Sequence, residues 1–312
     1  MSPHRLLIFL LGTSTLALGC GSSIFPRIIV RMVEHESDTL QTVAHKVAQP
    51  VLPDVGLSVL WVGHACTLIQ IHDKVFLTDP SFSHTVGMVS NRVVEPGIDP
   101  STLSHVDYVL VSHIHFDHLN YTSLNEVPKQ GKLLIPEGAA EYTPEFGFEE
   151  TREMKCWDVL EEQGVRITAV PAKHFGGRYG FDMLWGMDRC FTGYVIQYAG
   201  KTVYFAGDTG YRDSLFTEIG RRFPVDVALI PIAPIEPREM MSRVHLDPLQ
   251  AVRAFEELGA RLMIPIHHRT FYQGLEPQIT FAEDGLRKIV QEKKLQDRIA
   301  ILQVGERKIV QQ

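Results

Sequence analysis

Residues 113–118 read His-Ile-His-Phe-Asp-His and follow, after one serine, the apolar run Tyr108-Val109-Leu110-Val111. Three imidazoles and one carboxylate within six positions form a donor set for divalent cations of borderline softness, which take nitrogen and oxygen ligands without needing thiolate. One histidine in such a place is ordinary. Four polar groups desolvated together are costly unless something binds them. His174, Asp208 and His267 each close a further apolar run, "RITAVPAK", "TVYFAG" and "RLMIPI". Five imidazoles and two carboxylates in all are what two such ions take, with no thiolate needed.

To work together, these side chains must sit at strand ends along one sheet edge. Successive side chains of an extended segment alternate faces, which turns His113 and His115 the same way, and the turn that follows carries Asp117 and His118 to a second position. The strands are legible as short apolar or alternating runs, among them "LSVLWVG", "CTLIQIH", "KVFLTDP", "KLLIPEG", "GYVIQYAG" and "DVALIPI". Helices are expected in "RDSLFTEIGRRF", with Leu215, Phe216, Ile219 and Phe223 on one stripe, and in "LDPLQAVRAFEELGA". In the second, Asp247 is the N-cap, Pro248 the first helical residue and Gly259 lies past the end. Two packed sheets covered by helices are the predicted architecture.

The chain has 312 residues, 45% hydrophobic and 21% charged, with formal net charge -7. No Lys/Arg run exceeds two residues, which argues against nucleic acid as the main partner. The N-terminus differs in kind. Arg5, the apolar run Leu6 to Leu11 and the ending "LALGC" have the layout of a secretory signal and resemble a bacterial lipobox. Cys20 is then the lipidated residue, and Gly21 after it points to an outer-membrane lipoprotein facing the periplasm. The expected organisation is a signal peptide over 1–20, a tether with a short helix over 21–52 and a hydrolase domain over 53–312. Cys66, Cys156 and Cys190 are an odd number with no C-x-x-C spacing; an oxidising compartment would allow one disulfide, whose pair the sequence does not choose, and buried free thiols are the preferred expectation.

The 113–118 motif resembles the signature of the metallo-β-lactamase superfamily, which implies an αββα sandwich with two zinc ions at one edge. From about residue 57 to about 275 the chain more closely resembles the N-acylphosphatidylethanolamine-hydrolysing phospholipase D group. The matching stretches are "WVGHACTLIQI", "VFLTDPSFS", "VDYVLVSHIHFDHLN", "PAKHFGGR", "LWG", "VYFAGDTGY", "LIPIAPIEPREMM", "VHLDPLQAV" and "IPIHHRTF". The chain departs from that group at Phe175, usually tryptophan, at His268-Arg269, usually Trp-Gly, and at Met187-Asp188 after "LWG". The resemblance implies that His113, His115 and His174 hold the first zinc and that Asp117, His118 and His267 hold the second. Asp208 then bridges both. Asp117, Asp208 and His245 are the implied catalytic residues, with His245 facing the substrate phosphate or serving only as a polar neighbour of the helix start.

The implied activity is zinc-dependent hydrolysis of a phospholipid headgroup phosphodiester, or of another small phosphodiester, with a lipid anchor placing the enzyme on its membrane. Phe116, Phe175, Leu184, Trp185, Met240 and Met241 are candidates for an acyl groove, and half of them are expected to be core instead. Two alternatives are a lactonase of the ascorbate-6-phosphate lactonase type and a weakly catalytic zinc-binding outer-membrane lipoprotein. Asp79 is expected to accept an imidazole N–H beneath the metals, and His64 to be structural or in support of the ligands. Glu236 and Arg238 are expected to pair at the rim. His72, His84 and His105 are expected at the surface.

Overall fold

The strand Ser58–Gly63 is apolar at nearly every position because, in the computed structural model, both of its faces are covered. The structure describes residues 27–311 except 29, 32–33, 36–38, 44–45, 88–89, 180–181 and 183–187. The expected signal peptide and Cys20 lie outside the described residues, as do Leu184, Trp185 and Met187.

Fifteen strands are formed among the described residues. They are β1 Ser58–Gly63, β2 Cys66–Ile71, β3 Lys74–Thr78, β4 Thr85–Val86, β5 Ser90–Asn91, β6 Tyr108–Leu110, β7 Lys132–Pro136 and β8 Glu150–Met154. The rest are β9 Val159–Glu162, β10 Val165–Val170, β11 Gly193–Tyr198, β12 Lys201–Phe205, β13 Val227–Pro231, β14 Leu262–Ile266 and β15 Arg307–Ile309. One sheet runs β15-β1-β2-β3-β6-β7-β8 and the other β14-β13-β12-β11-β10-β9, with β4-β5 a small hairpin. The sheets pack face to face. Val59, Trp61, Ile69 and Phe76 of the first meet Ile167, Tyr194, Phe205 and Leu229 of the second. Alternate residues Leu60, Val62, Leu68 and Val109 face outward under the helix α1, Tyr121–Glu126.

On the other flank, the helices α2 Leu215–Arg222, α4 Pro248–Leu258 and α5 Phe281–Lys293 cover Val195, Tyr204, Ala228 and Ile230. A one-turn helix α3, Arg238–Met241, precedes α4. The expected αββα sandwich is therefore the observed one. Helix α4 is bounded as its sequence predicts. The Asp247 side chain accepts from the Gln250 backbone N–H at 2.8 Å, Pro248 opens the helix, and Gly259 ends it at φ +69°. No helix among the described residues is long and apolar enough to cross a membrane.

Topology aligns the strand ends. Strands β3, β6, β7 and β8 are mutually parallel, as are β12, β13 and β14, and β10 joins the latter direction through two antiparallel steps. Strands β1, β2 and β3 alternate, so the β1–β2 turn lies where β3 finishes. Ahead of β1, Gln41 bridges to Val94, Val47 donates to Gly97 O at 3.0 Å, and Leu52 donates to Gln70 Oε1 at 2.8 Å. The described part of residues 39–52 thus runs along the domain.

Candidate metal centre

Strand β6 ends at Leu110, three residues short of His113, so strand alternation is not what joins His113 to His115. The chain instead turns over, with His115 O accepting from His118 N at 3.1 Å and from Leu119 N at 2.9 Å. That turn brings His113 Nε2 within 2.8 Å of His115 Nδ1. His174, four residues past β10, places its Nε2 3.3 Å from the same atom. Three imidazole nitrogens pointing at one small volume either share protons or share a cation.

A second group forms beside it. His118 Nε2 is 3.2 Å from His267 Nε2 and 3.2 Å from Asp117 Oδ2. Asp208, three residues past β12, places Oδ2 3.1 Å from His267 Nε2, 3.5 Å from His118 Nε2 and 4.0 Å from His113 Nε2. It therefore stands between the groups, with Oδ1 buried and unpartnered among the described residues. All seven expected ligands converge. The first group is a nitrogen triad and the second a mixed nitrogen and oxygen set, open to a carboxylate shared by both. This donor chemistry, together with the unpartnered Asp208 oxygen, fits two ions of the zinc class.

The support beneath the ligands is built from neighbouring strand ends. Asp79, after β3, holds Oδ2 2.6 Å from His118 Nδ1 and accepts from the Ser112 backbone at 2.7 Å through Oδ1. Ser112 Oγ lies 2.9 Å from His113 Nδ1, and Val244 O is 3.1 Å from His174 Nδ1. His64, in the β1–β2 turn, places Nε2 2.8 Å from Asp117 Oδ2, and its own carbonyl accepts from Trp61 Nε1 at 2.9 Å. Asp79 meets its expectation, and His64 proves to be a partner of the site as well as a turn residue. Its placement follows from the hairpin count, which puts the β1–β2 turn at the edge where β3 and β6 end.

Two more residues support the site: Gln273, which carried no sequence signal, and Arg178, which closes the matching stretch "PAKHFGGR". Gln273 donates from Nε2 to Asp117 Oδ2 at 2.6 Å. Arg178, buried, lies over the Phe116 and Tyr121 rings at 4.2 and 4.4 Å and donates to Ile114 O, fixing the motif turn from outside.

Burial and mutual crowding of imidazoles set the electrostatics. Burial, then the His174 charge, holds His115 down to about 3, and burial holds His174 down to about 4. His113 and His245 are pushed well below the ordinary histidine value by burial. For His267, burial pulls down but Asp208 and Asp117 outweigh it, raising it to about 9. His118 rises well above its ordinary value against burial because Asp117, Asp208 and Asp79 surround it. Despite burial, the neighbouring imidazoles hold Asp117 and Asp208 well below the carboxylate range. The two acids thus attract positive charge onto the groups between them, as they would attract a divalent ion.

His245 is buried inside the cluster, Nδ1 3.7 Å from Asp208 Oδ2, not merely beside the helix start. The expected Glu236–Arg238 ion pair is not formed. Asp247, in place as the N-cap of α4, takes Arg238 Nη2 at 3.2 Å, while Glu236 accepts from the Arg238 backbone at 3.1 Å. Phe116 and Phe175 are half-buried beside the ligands, the latter ring 4.7 Å from His115, whereas Met241 is core. Cys66 and Cys190 are buried free thiols, but Cys156 is exposed, so the expectation of three buried thiols fails there. It follows β8 in a turn closed by Asp158 N donating to Lys155 O at 2.9 Å.

A family model described as the beta-lactamase superfamily domain matches residues 74–268. The chain is 27% identical over 289 residues to an N-acyl-phosphatidylethanolamine-hydrolyzing phospholipase D of Caenorhabditis elegans, covering 85% of this chain and 80% of the relative. It is 30% identical over 253 residues to a metal-dependent hydrolase of Methanopyrus kandleri, covering 80% of this chain and 98% of the relative. Among solved structures, a "possible metal-dependent hydrolase" from Veillonella parvula superposes with a TM-score of 0.65 at 20% identity, covering 82% of this chain and 100% of that one.

Proposed function

The chain belongs to the metallo-β-lactamase superfamily and is a metal-dependent hydrolase, and from that premise we propose that it cleaves the headgroup phosphodiester of a phospholipid of the N-acylphosphatidylethanolamine kind. The observation that carries the hydrolase reading is the meeting of His113, His115, His174, Asp117, His118, His267 and Asp208 at one sheet edge. Support for the substrate comes from similarity to the nematode phospholipase across 85% of the chain. It comes also from the Glu236-Pro237-Arg238 and His245–Pro248 stretches beside the ligands.

His113, His115 and His174 would hold one zinc ion, Asp117, His118 and His267 a second, and Asp208 both. Such ions, when bound, supply Lewis acidity toward a phosphoryl oxygen and a water acidic enough to ionise near neutral pH. The chain's own residues supply the geometry. Asp79 holds the Nδ1 proton of His118, and Val244 O that of His174, so each turns Nε2 inward. His64 and Gln273, from the β1–β2 turn and the loop after β14, both fix Oδ2 of the Asp117 carboxylate. His245, kept neutral by burial, offers one ring N–H to a substrate oxygen. Lipidation at Cys20 and an outer-membrane location belong to the same proposal, because they would keep the enzyme at its substrate.

The test is zinc-loaded protein on vesicles containing N-acylphosphatidylethanolamine, with phosphatidic acid as the product measured. No release, alongside turnover of a lactone or a soluble phosphodiester, overturns the lipid substrate and leaves the hydrolase.

A further inference from the structure

We infer that Arg31 and His35 are positioning residues for the catalytic cluster, because through Tyr272 they fix Gln273 against Asp117. Residues 27, 28, 30, 31 and 34 are helical, and two side chains of this segment grip the loop that follows β14. The His35 ring stacks on Tyr272, centroids 3.8 Å apart and planes 15° from parallel. Arg31 Cζ stands 5.3 Å from the centroid of that same ring, and its Nη2 donates to Glu276 O at 3.1 Å and to Pro277 O at 3.0 Å. Gln273 lies between these two grips and donates to Asp117 Oδ2 at 2.6 Å.

The loop belongs to no strand or helix from 272 to 280; its backbone is tied at Leu275, whose N–H donates to Glu236 O at 2.9 Å, and side-chain contacts place Tyr272 and Gln273 ahead of that bond. Stacking and cation–π contact fix the Tyr272 ring, and Nη2 of Arg31 alone bonds the carbonyls four and five residues on. An amide N–H on a carboxylate is a charge-assisted bond that also sets the carboxylate's rotamer. It weakens steeply with small displacements. The segment is thus joined to Asp117 by a continuous chain of contacts, Arg31 and His35 to Tyr272, then Gln273.

This inference rests on Asp117 belonging to the hydrolytic site, so its test carries a readout that does not. Full-length variants Arg31→Ala/His35→Ala, His35→Phe and Gln273→Ala are compared with the parent protein. In chelated protein, backbone amide exchange across 271–277 is expected to quicken about tenfold in the double variant, with the sheets unchanged. His35→Phe, which keeps a stacked ring, restores protection. In metal-loaded enzyme the double variant is expected to lower kcat roughly tenfold at similar KM, and to add nothing in the Gln273→Ala background. If no substrate is turned over, zinc competition titration replaces kcat, with the same non-additivity expected. Unchanged exchange overturns the brace. Faster exchange with effects that multiply with those of Gln273→Ala overturns the route through Gln273.

Discussion

His118 keeps its Nδ1 2.6 Å from Oδ2 of Asp79, which leaves Nε2 as the atom facing Asp117, Asp208 and His267. The same carboxylate accepts from the Ser112 backbone and from Ser112 Oγ, so the strand ends of β3 and β6 are joined beneath the ligands by one side chain. Asp79 holds this place at φ +33°, a conformation that a non-glycine residue adopts at a cost.

Asp79→Asn replaces one acceptor oxygen with an amide NH2 group that faces an existing donor. Zinc affinity is expected to fall about 10- to 100-fold, with the fold retained. Competition titration against a chromogenic chelator reads this directly, and unchanged affinity would show that His118 needs no orienting partner.

Gly207 precedes Asp208 at φ +59°, and a Cβ there would lie 2.4 Å from Ser112 Cβ. Gly207→Ala therefore strains the backbone and displaces the serine that touches Asp79 and His113. A loss of about 2 kcal/mol or more is expected from these combined effects, seen as a lower urea midpoint, together with reduced zinc occupancy. A variant as stable as the parent would contradict the close approach.

In chelated protein, stability should fall with acid. His64, His113, His115, His174, His245 and His268 all have folded pKa values below the ordinary 6.5, with burial the leading cause. Below that value the unfolded chain binds protons that the folded chain refuses, so stability is lost from pH 6.5 toward about 4, where His174 and His268 titrate. His118 and His267 work oppositely: their contribution is full below the unfolded value, and that of His267 is lost as pH rises through about 9. Six groups outweigh two. Each can contribute up to about 1.4 kcal/mol per pH unit, so urea midpoints should decline from pH 7.5 to pH 5.5. A rise over that interval would refute the assignment of neutral imidazoles.

Chelation itself should lower Tm and added zinc restore it, because a ligand that binds only the folded state at 100 times its Kd adds about 2.7 kcal/mol. Calorimetry with and without chelator measures it. Asp208→Asn should abolish most of the difference.

Thiol reactivity should divide the cysteines. Burial raises Cys66 to about 12 and Cys190 to about 11, whereas Cys156 is exposed. In a Cys20→Ser chain near pH 8, one thiol of the three is expected to alkylate in the native protein and all three in urea. Mass spectrometry locates the label, and rapid native labelling of Cys66 would be inconsistent with its burial.

Much of the site was legible from residue types alone. His113 to His118, His174, Asp208 and His267 stand out because a cluster of imidazoles and acids at the ends of apolar runs is expensive without a purpose. The borders of α4 were equally plain, since Asp247, Pro248 and Gly259 act through their own backbone neighbourhood. The roles of His64 and Gln273 were less visible. They depend on which loop lies against Asp117, and separations of 53 and 156 positions leave no periodic trace.

Local chemistry explains the division. Composition, strand texture, helix caps and the ligand motif are properties of short segments, and the sequence by itself determined them, down to the identity of the seven converging groups. Only the tertiary structure decided that His113 meets His115 through a turn, that Arg238 takes Asp247 in place of Glu236, and that Arg31 reaches Glu276 and Pro277. Those pairings are settled by competition among nearby partners once the two sheets have packed, and the distances that settle it do not exist until then.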